Sequence, residues 1–278
     1  MMNLKKRSKN SIGVFDSGVG GLSVLREIRK QSPNESVLYL ADQVHVPYGQ
    51  RVLEEVQVFS KIITQFLLDR GVKIIVVACN TASAAALQYL RATFPEVPFI
   101  GMEPAIKPAA EHTATGIVGV LATPATFQGS LYASVVERFA NNVTLLTNTC
   151  PGLVEQIEQG DFTGKETRNI LESALLPMLE QGIDTVVLGC THYPFVIPLI
   201  HAITGPNVRV IDPAPAVARQ IVRIMDLKGI RNCDSTLGNL NFFTSGDGVQ
   251  FERLLPDLLG EMGDIKNIFW DKNKIRVK

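Results

Sequence analysis

The chain has 278 residues, of which 46% are hydrophobic and 19% are charged. This composition is typical of a globular protein with one large or two smaller domains and an ample core. The 27 basic and 27 acidic side chains give a formal net charge of zero, so no overall field favours nucleic acid or an anionic membrane surface. We therefore expect a small-molecule partner and no nucleic acid.

The first ten residues are basic, and no apolar segment of secretory length follows them. No apolar run approaches the roughly 20 residues that a membrane-spanning helix needs. We therefore expect a cytoplasmic protein without a membrane partner, and we interpret residues 1–10 as an arm outside the fold.

Four cysteines, Cys79, Cys150, Cys190 and Cys233, show no C-x-x-C spacing and no close cluster with histidine. A structural zinc site is therefore not expected, and disulfides are not expected in a reducing compartment. Cys150 precedes a proline in a turn and is interpreted as structural. Cys233 is interpreted as an exposed loop thiol.

Two of the cysteines directly follow apolar, β-branched runs. Residues 74–83 read I-I-V-V-A-C-N-T-A-S, and residues 185–195 read T-V-V-L-G-C-T-H-Y-P-F. Such short and uniformly apolar runs predict central strands that are covered on both faces. In open parallel α/β sheets the carboxyl ends of the strands form the ligand-binding edge, so we expect Cys79 and Cys190 at the functional site. The helix predicted to begin beside Cys79 would favour its thiolate.

The start of the chain predicts a strand, a glycine-rich turn beginning at Asp16, a helix, and a second strand that ends at Asp42. This order matches part of a dinucleotide-binding fingerprint, but Ser23 stands where the third glycine is required. Alternatively, the glycines let backbone N–H groups approach a small anion, with Asp16 and Ser17 facing the ligand.

The turn is followed by residues 44–51, which are predicted to form a loop. Within it Tyr48 is either core filler or a phenol that hydrogen-bonds a ligand, and His45 is interpreted as a solvated residue. At the other end of the chain, the lysines and Arg276 that follow the last predicted strand are interpreted as a solvated tail.

A weak internal repeat relates the two halves of the chain. Setting Gly119 over Gly13 places Thr123 over Ser17, and a strand that ends in cysteine follows in each half. The repeat is too long for a solenoid. It predicts two similar α/β halves, each contributing one turn with a hydroxyl group and one thiol.

Two thiols at strand ends favour acid–base chemistry on a carbon atom. One thiolate removes a proton from one face of a stereocentre, and the other thiol delivers a proton to the opposite face. A single cysteine with a histidine would suggest nucleophilic catalysis, but a second thiol is superfluous there. Cys190 and His192 are also two residues apart, and side chains with that spacing at a strand end need not meet.

Five motifs, in this order and spacing, resemble the cofactor-independent glutamate racemases of the aspartate/glutamate racemase superfamily: F-D-S-G-V-G-G-L, V-P-Y-G-Q-R, A-C-N-T-A-S, G-C-T-H-Y-P and I-D-P-A-P-A-V-A. The resemblance covers residues 12–251. It implies two flavodoxin-like, parallel-sheet α/β domains related by a pseudo-twofold axis, with the active site in the cleft between them. The implied domains are residues 1–98 plus 208–278, and residues 99–207.

The resemblance implies catalytic roles for Cys79, Cys190, Asp16, His192 and Glu158. Cys79 would be the base for D-glutamate and Cys190 the base for L-glutamate, assisted by Asp16 and His192 respectively, with Glu158 as a further carboxylate. The implied substrate-binding residues are Asp16, Ser17, Tyr48, Gly49, Asn80, Thr81, Thr123, Thr126, Thr191 and His192. Pro124 and Ala125 depart from the glycine form of the family's threonine-rich turn, and His45 receives no role.

The resemblance further implies no cofactor and no metal, a small-molecule substrate, a supply of D-glutamate to peptidoglycan synthesis, and in some family members a homodimer. No lysine stands where a pyridoxal Schiff base is expected. Three alternatives stay open: an aspartate racemase or another two-thiol isomerase, a silent amino-acid-binding or regulatory protein, and a cysteine hydrolase.

Overall fold

The structure, a computed structural model, describes residues 8–278. Its strands are β1 (Ile12–Asp16), β2 (Val37–Ala41), β3 (Ile74–Val77), β4 (Phe99–Gly101), β5 (Ile117–Ala122), β6 (Thr144–Asn148), β7 (Thr185–Gly189), β8 (Arg209–Ile211), β9 (Leu240–Thr244), β10 (Asp264–Asp271) and β11 (Lys274–Val277).

The helices alternate with these strands through most of the chain. They are α1 (Leu22–Gln31), α2 (Leu53–Leu68), α3 (Asn80–Thr93), α4 (Ile106–His112), α5 (Pro124–Gln128), α6 (Ser130–Phe139), α7 (Leu153–Glu158), α8 (Lys165–Glu180), α9 (Ile197–Thr204), α10 (Ala214–Leu227) and α11 (Gly248–Leu258).

Two sheets organise the chain. The first has the strand order β11-β10-β9-β2-β1-β3-β4, and the second has the order β6-β5-β7-β8. All pairs are parallel except β10 with β11. The order β2-β1-β3-β4 therefore recurs as β6-β5-β7-β8, which is the order of a flavodoxin-like sheet. The predicted α/β class with two similar parallel sheets is confirmed.

The strand registers bear out the internal repeat. Gly13 in β1 lies opposite Ile75 in β3, and Gly119 in β5 lies opposite Val186 in β7. Cys79 is the fourth residue after Ile75, and Cys190 is the fourth residue after Val186. The two thiols therefore occupy equivalent positions at the carboxyl edges of the two sheets.

Strand membership differs from the predicted domain limits by one strand at each limit. β4 pairs with β3 in the first sheet, although residue 99 was predicted to open the second domain. β8 pairs with β7 in the second sheet, although residue 208 was predicted to return to the first domain. Each short strand completes the sheet of the helix–strand unit that precedes it along the chain, and the domain division itself stays a prediction.

Three hydrophobic clusters fill the space on the two faces of each sheet. One cluster contacts both sheets and includes Val14 of β1 and Leu188 of β7. The alternate side chains of these strands point to the other face of each sheet, where they are also buried. There Phe15 packs against α2 and α3, and Val187 packs against α4 and α6. Because each central strand is buried on both faces, its apolar run is uninterrupted, as the sequence analysis inferred.

The C-terminal end of the chain forms a strand where a tail was predicted, although its lysines and Arg276 are exposed as predicted. β11 pairs antiparallel with β10, with Trp270 opposite Ile275. At the other end, residues 1–7 of the predicted arm lie outside the described residues. Residue Ser8 contacts the fold, since Lys73 Nζ donates a hydrogen bond to its carbonyl oxygen at 2.6 Å.

Candidate active site

The thiols of Cys79 and Cys190 lie at the ends of β3 and β7 and are only 5% and 7% exposed. Both line one cavity of about 10 Å³, close to the volume that one water molecule needs. The strand ends of both sheets enclose this cavity, so it lies in the cleft that the resemblance implied. Its lining includes Ser17, Tyr48, Gly49, Cys79, Asn80, Thr81, Thr123, Cys190, Thr191 and His192.

The carboxylate of Asp16, at the end of β1, lies beside Cys79. Its Oδ2 accepts a hydrogen bond from the backbone N–H of Gly21 at 2.7 Å. Its Oδ1 is buried and has no hydrogen-bond partner among the described residues. Burial raises the pKa of Asp16, and the charge of His192 offsets only part of that rise. Asp16 is therefore a carboxyl group that can hold a proton more readily than an exposed aspartate.

Cys79 caps helix α3, where the backbone N–H of Ala82 donates to Sγ at 3.4 Å. Burial and then the charge of Asp16 nevertheless raise the pKa of Cys79 well above its ordinary value. The helix start does favour the thiolate, since the Ala82 N–H lowers the pKa of Cys79, but desolvation and the neighbouring carboxylate outweigh this contribution. At neutral pH Cys79 is a protonated thiol.

Cys190 and His192 do meet, which their spacing in the sequence left open. Sγ of Cys190 lies 3.8 Å from Nδ1 of His192. The chain turns at this point, since His192 has the helical backbone angles φ −74° and ψ −35°. The other ring nitrogen, Nε2, lies 2.6 Å from Oε1 of Glu158 in α7. The result is a buried chain of three side chains, from thiol to imidazole to carboxylate.

His192 and Glu158 form an ion pair despite their burial. Burial lowers the pKa of His192, but the hydrogen bonds to Cys190 and Glu158 outweigh it and raise the pKa well above its ordinary value. Burial likewise raises the pKa of Glu158, but the bond to His192 and the bonds from Gln43 and Val19 lower it overall. With His192 as imidazolium, its Nδ1–H points to the sulfur of Cys190 and its Nε2–H to Glu158.

The glycine-rich turn after β1 binds carboxylates of the protein itself. Gly21 N donates to Asp16, and Val19 N donates to Glu158 Oε1 at 2.7 Å. A Cβ atom at Gly18 would overlap Glu158, and one at Gly20 would overlap the His192 ring. These N–H groups bind carboxylates of the protein, so the predicted approach to a small anionic ligand stays a prediction.

Two threonine hydroxyls and one amide line the opposite wall, and a third threonine hydroxyl lies behind them. Thr123 Oγ1 lies 2.9 Å from Thr81 Oγ1 and 3.0 Å from Thr126 Oγ1, so α3 and α5 meet through hydroxyl groups. Oδ1 and Nδ2 of Asn80 are buried, and neither has a hydrogen-bond partner in the described part of the chain. Since buried polar atoms are normally paired, both polar atoms of this amide are available to a ligand in the cavity.

Tyr48 lines the cavity, but its hydroxyl group already has a partner. It donates to Asp42 Oδ2 at 2.7 Å, which leaves the phenol oxygen only as an acceptor for a ligand. Asp42 is fully buried and also accepts hydrogen bonds from Ser245 and Trp270. His45, predicted to be solvated, lies 2.8 Å from Asp42 and stacks on an aromatic ring, so that interpretation is wrong.

Comparison with known proteins identifies the family and supports the fold. The profile of the Asp/Glu/hydantoin racemase family matches residues 12–221. The chain belongs to this family. It is 50% identical over 250 residues to the glutamate racemase of Pseudomonas aeruginosa (strain PAO1), covering 90% of this chain and 94% of that protein.

Solved structures of similar proteins have the same fold over nearly their whole length. Escherichia coli glutamate racemase, in complex with L-glutamate and the activator UDP-MurNAc-ala, is 33% identical with a TM-score of 0.82, covering 97% of this chain and 99% of that one. Glutamate racemase from Francisella tularensis, in complex with D-glutamate, is 28% identical with a TM-score of 0.81, covering 95% and 98%.

In this member of the racemase family, every implied site residue belongs to one connected region. Three of them, Asp16, Thr126 and Glu158, lie behind the lining and contact Cys79, Thr123 and His192 respectively. Within residues 8–278 we find no group of histidine, cysteine or acidic residues suited to a metal ion, and no helix long and apolar enough to cross a membrane.

The structure also shows residues that the sequence analysis missed. Gln43 donates to Glu158, and Asp42 accepts from Tyr48, yet neither received a role from its local sequence. Asp42 was noted only as the end of a strand. The bond from Gln43 to Glu158 joins residues 115 positions apart in the chain, and no local pattern signals such a contact. Asp42 and Tyr48 are only six positions apart, but they meet through side chains whose pairing the loop sequence does not specify.

Proposed function

We propose that this racemase interconverts L- and D-glutamate by a two-base mechanism with Cys79 and Cys190. The observation that carries the proposal is the equivalent placement of the two buried thiols at the ends of β3 and β7, on one cavity. The glutamate racemases with which this chain shares about half of its residues support the choice of substrate, as do the relatives solved with L- and D-glutamate.

In the L-to-D direction, Cys190 takes the α-proton and Cys79 delivers a proton to the opposite face. The raised pKa of Cys79 suits it to this delivery. His192 and Glu158 act behind Cys190, since the imidazolium stabilises a neighbouring thiolate. The reaction is balanced, because one C–H bond breaks and another forms at the same carbon atom.

In the D-to-L direction the thiols exchange roles, and Cys79 must first lose its proton. Asp16 is the acceptor next to it, with a raised pKa and an unpartnered oxygen. The two directions therefore use different auxiliary groups: a carboxylate beside Cys79, and an imidazole with its glutamate beside Cys190.

Polar groups without positive charge bind the carboxylates of the substrate in this proposal. The amide of Asn80 and the hydroxyls of Ser17, Thr81, Thr123 and Thr191 lie on the cavity or next to it. Fixed dipoles of this kind stabilise the charge that develops at the α-carbon without reorganising. Both proton-transferring groups come from the chain, so the mechanism calls for no cofactor.

The biological setting is the remaining part of the proposal. D-glutamate would supply peptidoglycan synthesis in the cytoplasm, and the protein would act as a homodimer. Sedimentation equilibrium measures the assembly state directly, and a monomer at micromolar concentration would contradict the last point.

The test of the reaction is α-proton exchange in D2O. The purified protein is incubated with L-glutamate or D-glutamate without added cofactor, and NMR and optical rotation follow the substrate. We expect loss of the α-proton signal together with racemisation, and loss of racemisation in Cys79→Ser and Cys190→Ser. If neither proton exchange nor racemisation occurs with glutamate, glutamate is not the substrate. Racemisation of aspartate instead would keep the two-base mechanism and change the substrate. An acyl-enzyme on one cysteine would indicate a hydrolase, and binding without exchange would indicate a silent binding protein.

A further inference from the structure

The carboxylate of Glu158 is held from the side opposite His192 by the amide of Gln43. Gln43 Nε2 donates to Glu158 Oε2 at 2.8 Å. Gln43 comes directly after Asp42, in the turn that follows β2 of the first sheet, whereas Glu158 ends α7 between β6 and β7 of the second sheet. The hydrogen bond therefore connects the two halves of the molecule behind the cavity.

The orientation of the Gln43 amide is fixed by Thr244 at the end of β9. The buried hydroxyl of Thr244 donates to Gln43 Oε1 at 2.6 Å and accepts the backbone N–H of Gly246 at 3.0 Å. Because the hydroxyl hydrogen is used on Gln43 Oε1, the NH2 group of the amide must point to Glu158. A flipped amide would place an oxygen against the carboxylate.

Each oxygen of Glu158 has its own partners. Oε1 accepts from His192 Nε2 and from Val19 N, and Oε2 accepts from Gln43. Without the Gln43 bond the carboxylate loses the contact that sets its rotation, and the His192 ring loses a fixed acceptor. Partners of this kind orient the groups that they bind, and their loss is measurable in activity.

Resting on the proposed racemase function, we propose that Gln43 is a positioning residue for the Cys190 half of the reaction. Thr244 orients Gln43, Gln43 orients Glu158, and Glu158 holds the His192 ring against Cys190. In the Cys79 half, the carboxylate of Asp16 makes no hydrogen bond to Gln43, Glu158 or His192 within residues 8–278, and its oxygen Oδ2 binds Gly21 instead.

The one-sided placement of Gln43 predicts a signature that general destabilisation does not give. Two enantiomers have equal free energies, so kcat/KM must stay equal in the two directions. The primary isotope effect at the α-carbon is free of this restriction. If proton transfer at Cys190 slows, removal of the α-proton limits the reaction of L-glutamate more, so the isotope effect on kcat/KM rises with α-deuterated L-glutamate. Removal of the α-proton of D-glutamate by Cys79 then limits its reaction less, so the isotope effect falls with α-deuterated D-glutamate.

The experiment compares Gln43→Met, similar in size but without an amide, with Gln50→Met as a matched control. Gln50 makes the same type of bond, Nε2 to Glu155 Oε1 at 3.0 Å, at an exposed position across the same cleft. We expect Gln43→Met to lower kcat/KM about tenfold, as for loss of one hydrogen bond to a charged group. Thr244→Val should shift the isotope effects in the same sense by less, and Gln50→Met should behave as wild type.

Proton NMR of the His192 ring gives a second readout that needs no turnover. We expect the downfield Nε2–H resonance to move in Gln43→Met and to stay in Gln50→Met. Unchanged isotope effects with an unchanged resonance would overturn the proposal, as would an equal change of both isotope effects. If wild type does not racemise glutamate, the proposed function fails by itself, and the resonance still decides whether Gln43 positions His192.

Discussion

The carboxylates of Asp16 and Glu158 accept backbone N–H groups from one and the same turn. Gly21 N donates to Asp16 at 2.7 Å, and Val19 N donates to Glu158 at 2.7 Å. Asp16 lies beside Cys79, and Glu158 lies behind Cys190 through His192. The turn therefore fixes the partners of both thiols relative to each other, although the thiols belong to different sheets.

We predict that Gly20→Ala will impair catalysis far more than folding. The new Cβ atom would overlap the His192 ring and push it away from Cys190. We expect kcat/KM to fall by at least about tenfold, equivalent to about 1.4 kcal/mol.

Gly260→Ala is the control, because its φ of +78° strains alanine while no atom lies within 4 Å of the added Cβ. That variant should lose about 1 kcal/mol of stability with unchanged kcat. Normal activity in Gly20→Ala would contradict the prediction.

We predict that Glu158→Gln will destabilise the protein by about 3 kcal/mol, since it leaves the buried imidazolium of His192 without its counterion. The difference from wild type depends on pH. Because folding lowers the pKa of Glu158, its carboxylate stabilises the folded state, and this contribution is lost as pH falls below the unfolded-state pKa of about 4.3. The raised pKa of His192 gives stability that is lost as pH rises from about 6.5 through the folded-state value. Urea unfolding should therefore show the largest difference between about pH 4.3 and 6.5, and a difference that grows above pH 8 would refute this account.

We predict that Lys73→Met will unfold more easily and still catalyse normally. Lys73 is 1% exposed and pairs with the buried carboxylate of Glu35, which also accepts the N–H of Asn232. Removing the lysine leaves the buried carboxylate of Glu35 without a counterion, at a cost of about 3–5 kcal/mol. The control Lys266→Met breaks a half-exposed pair with Asp264 and should cost less than about 1 kcal/mol. Similar denaturation midpoints for the two variants would show that the buried pair is dispensable.

We predict slow alkylation of Cys79 by iodoacetamide at neutral pH, because its buried thiol has a raised pKa and only the thiolate reacts. The exposed Cys233 should be modified first, as peptide mass spectrometry can show. Asp16→Asn removes the carboxylate that raises the pKa of Cys79, so the modification of Cys79 should become faster at the same pH. A rate that stays the same or falls in Asp16→Asn would contradict this effect of the Asp16 charge on the resting thiol.

The sequence predicts the central strands and the thiols at their ends, because buried parallel strands have uniformly apolar runs. It does not predict β11, whose alternating residues K-I-R-V carry a weak signal and whose formation depends on pairing with β10. It also misses α5, where Pro124 occupies the first turn directly after the Thr123 turn. Weak local patterns of this kind take their structure from their neighbours.

The sequence predicts the members of the candidate site better than it predicts their contacts. The motifs contain Asp16, Cys79, Cys190 and His192, and the resemblance adds Glu158 from outside them. The structure brings these side chains together in one region. The pKa of Cys79 depends on burial and on Asp16, which outweigh the helix start visible in the sequence. The bond between Gln43 and Glu158 joins two loops that only the folded chain brings together.

The equivalent positions of Cys79 and Cys190 in two successive copies of one strand order have a stereochemical consequence. Every residue other than glycine in the chain is an L-amino acid, so two halves of similar fold have the same handedness and cannot be mirror images. The two enantiomers of a substrate therefore meet different surroundings, a carboxylate next to one thiol and an imidazole next to the other. A racemase built in this way must balance kcat against KM separately for each enantiomer, so saturation with one hand of the substrate is expected at a different concentration from saturation with the other.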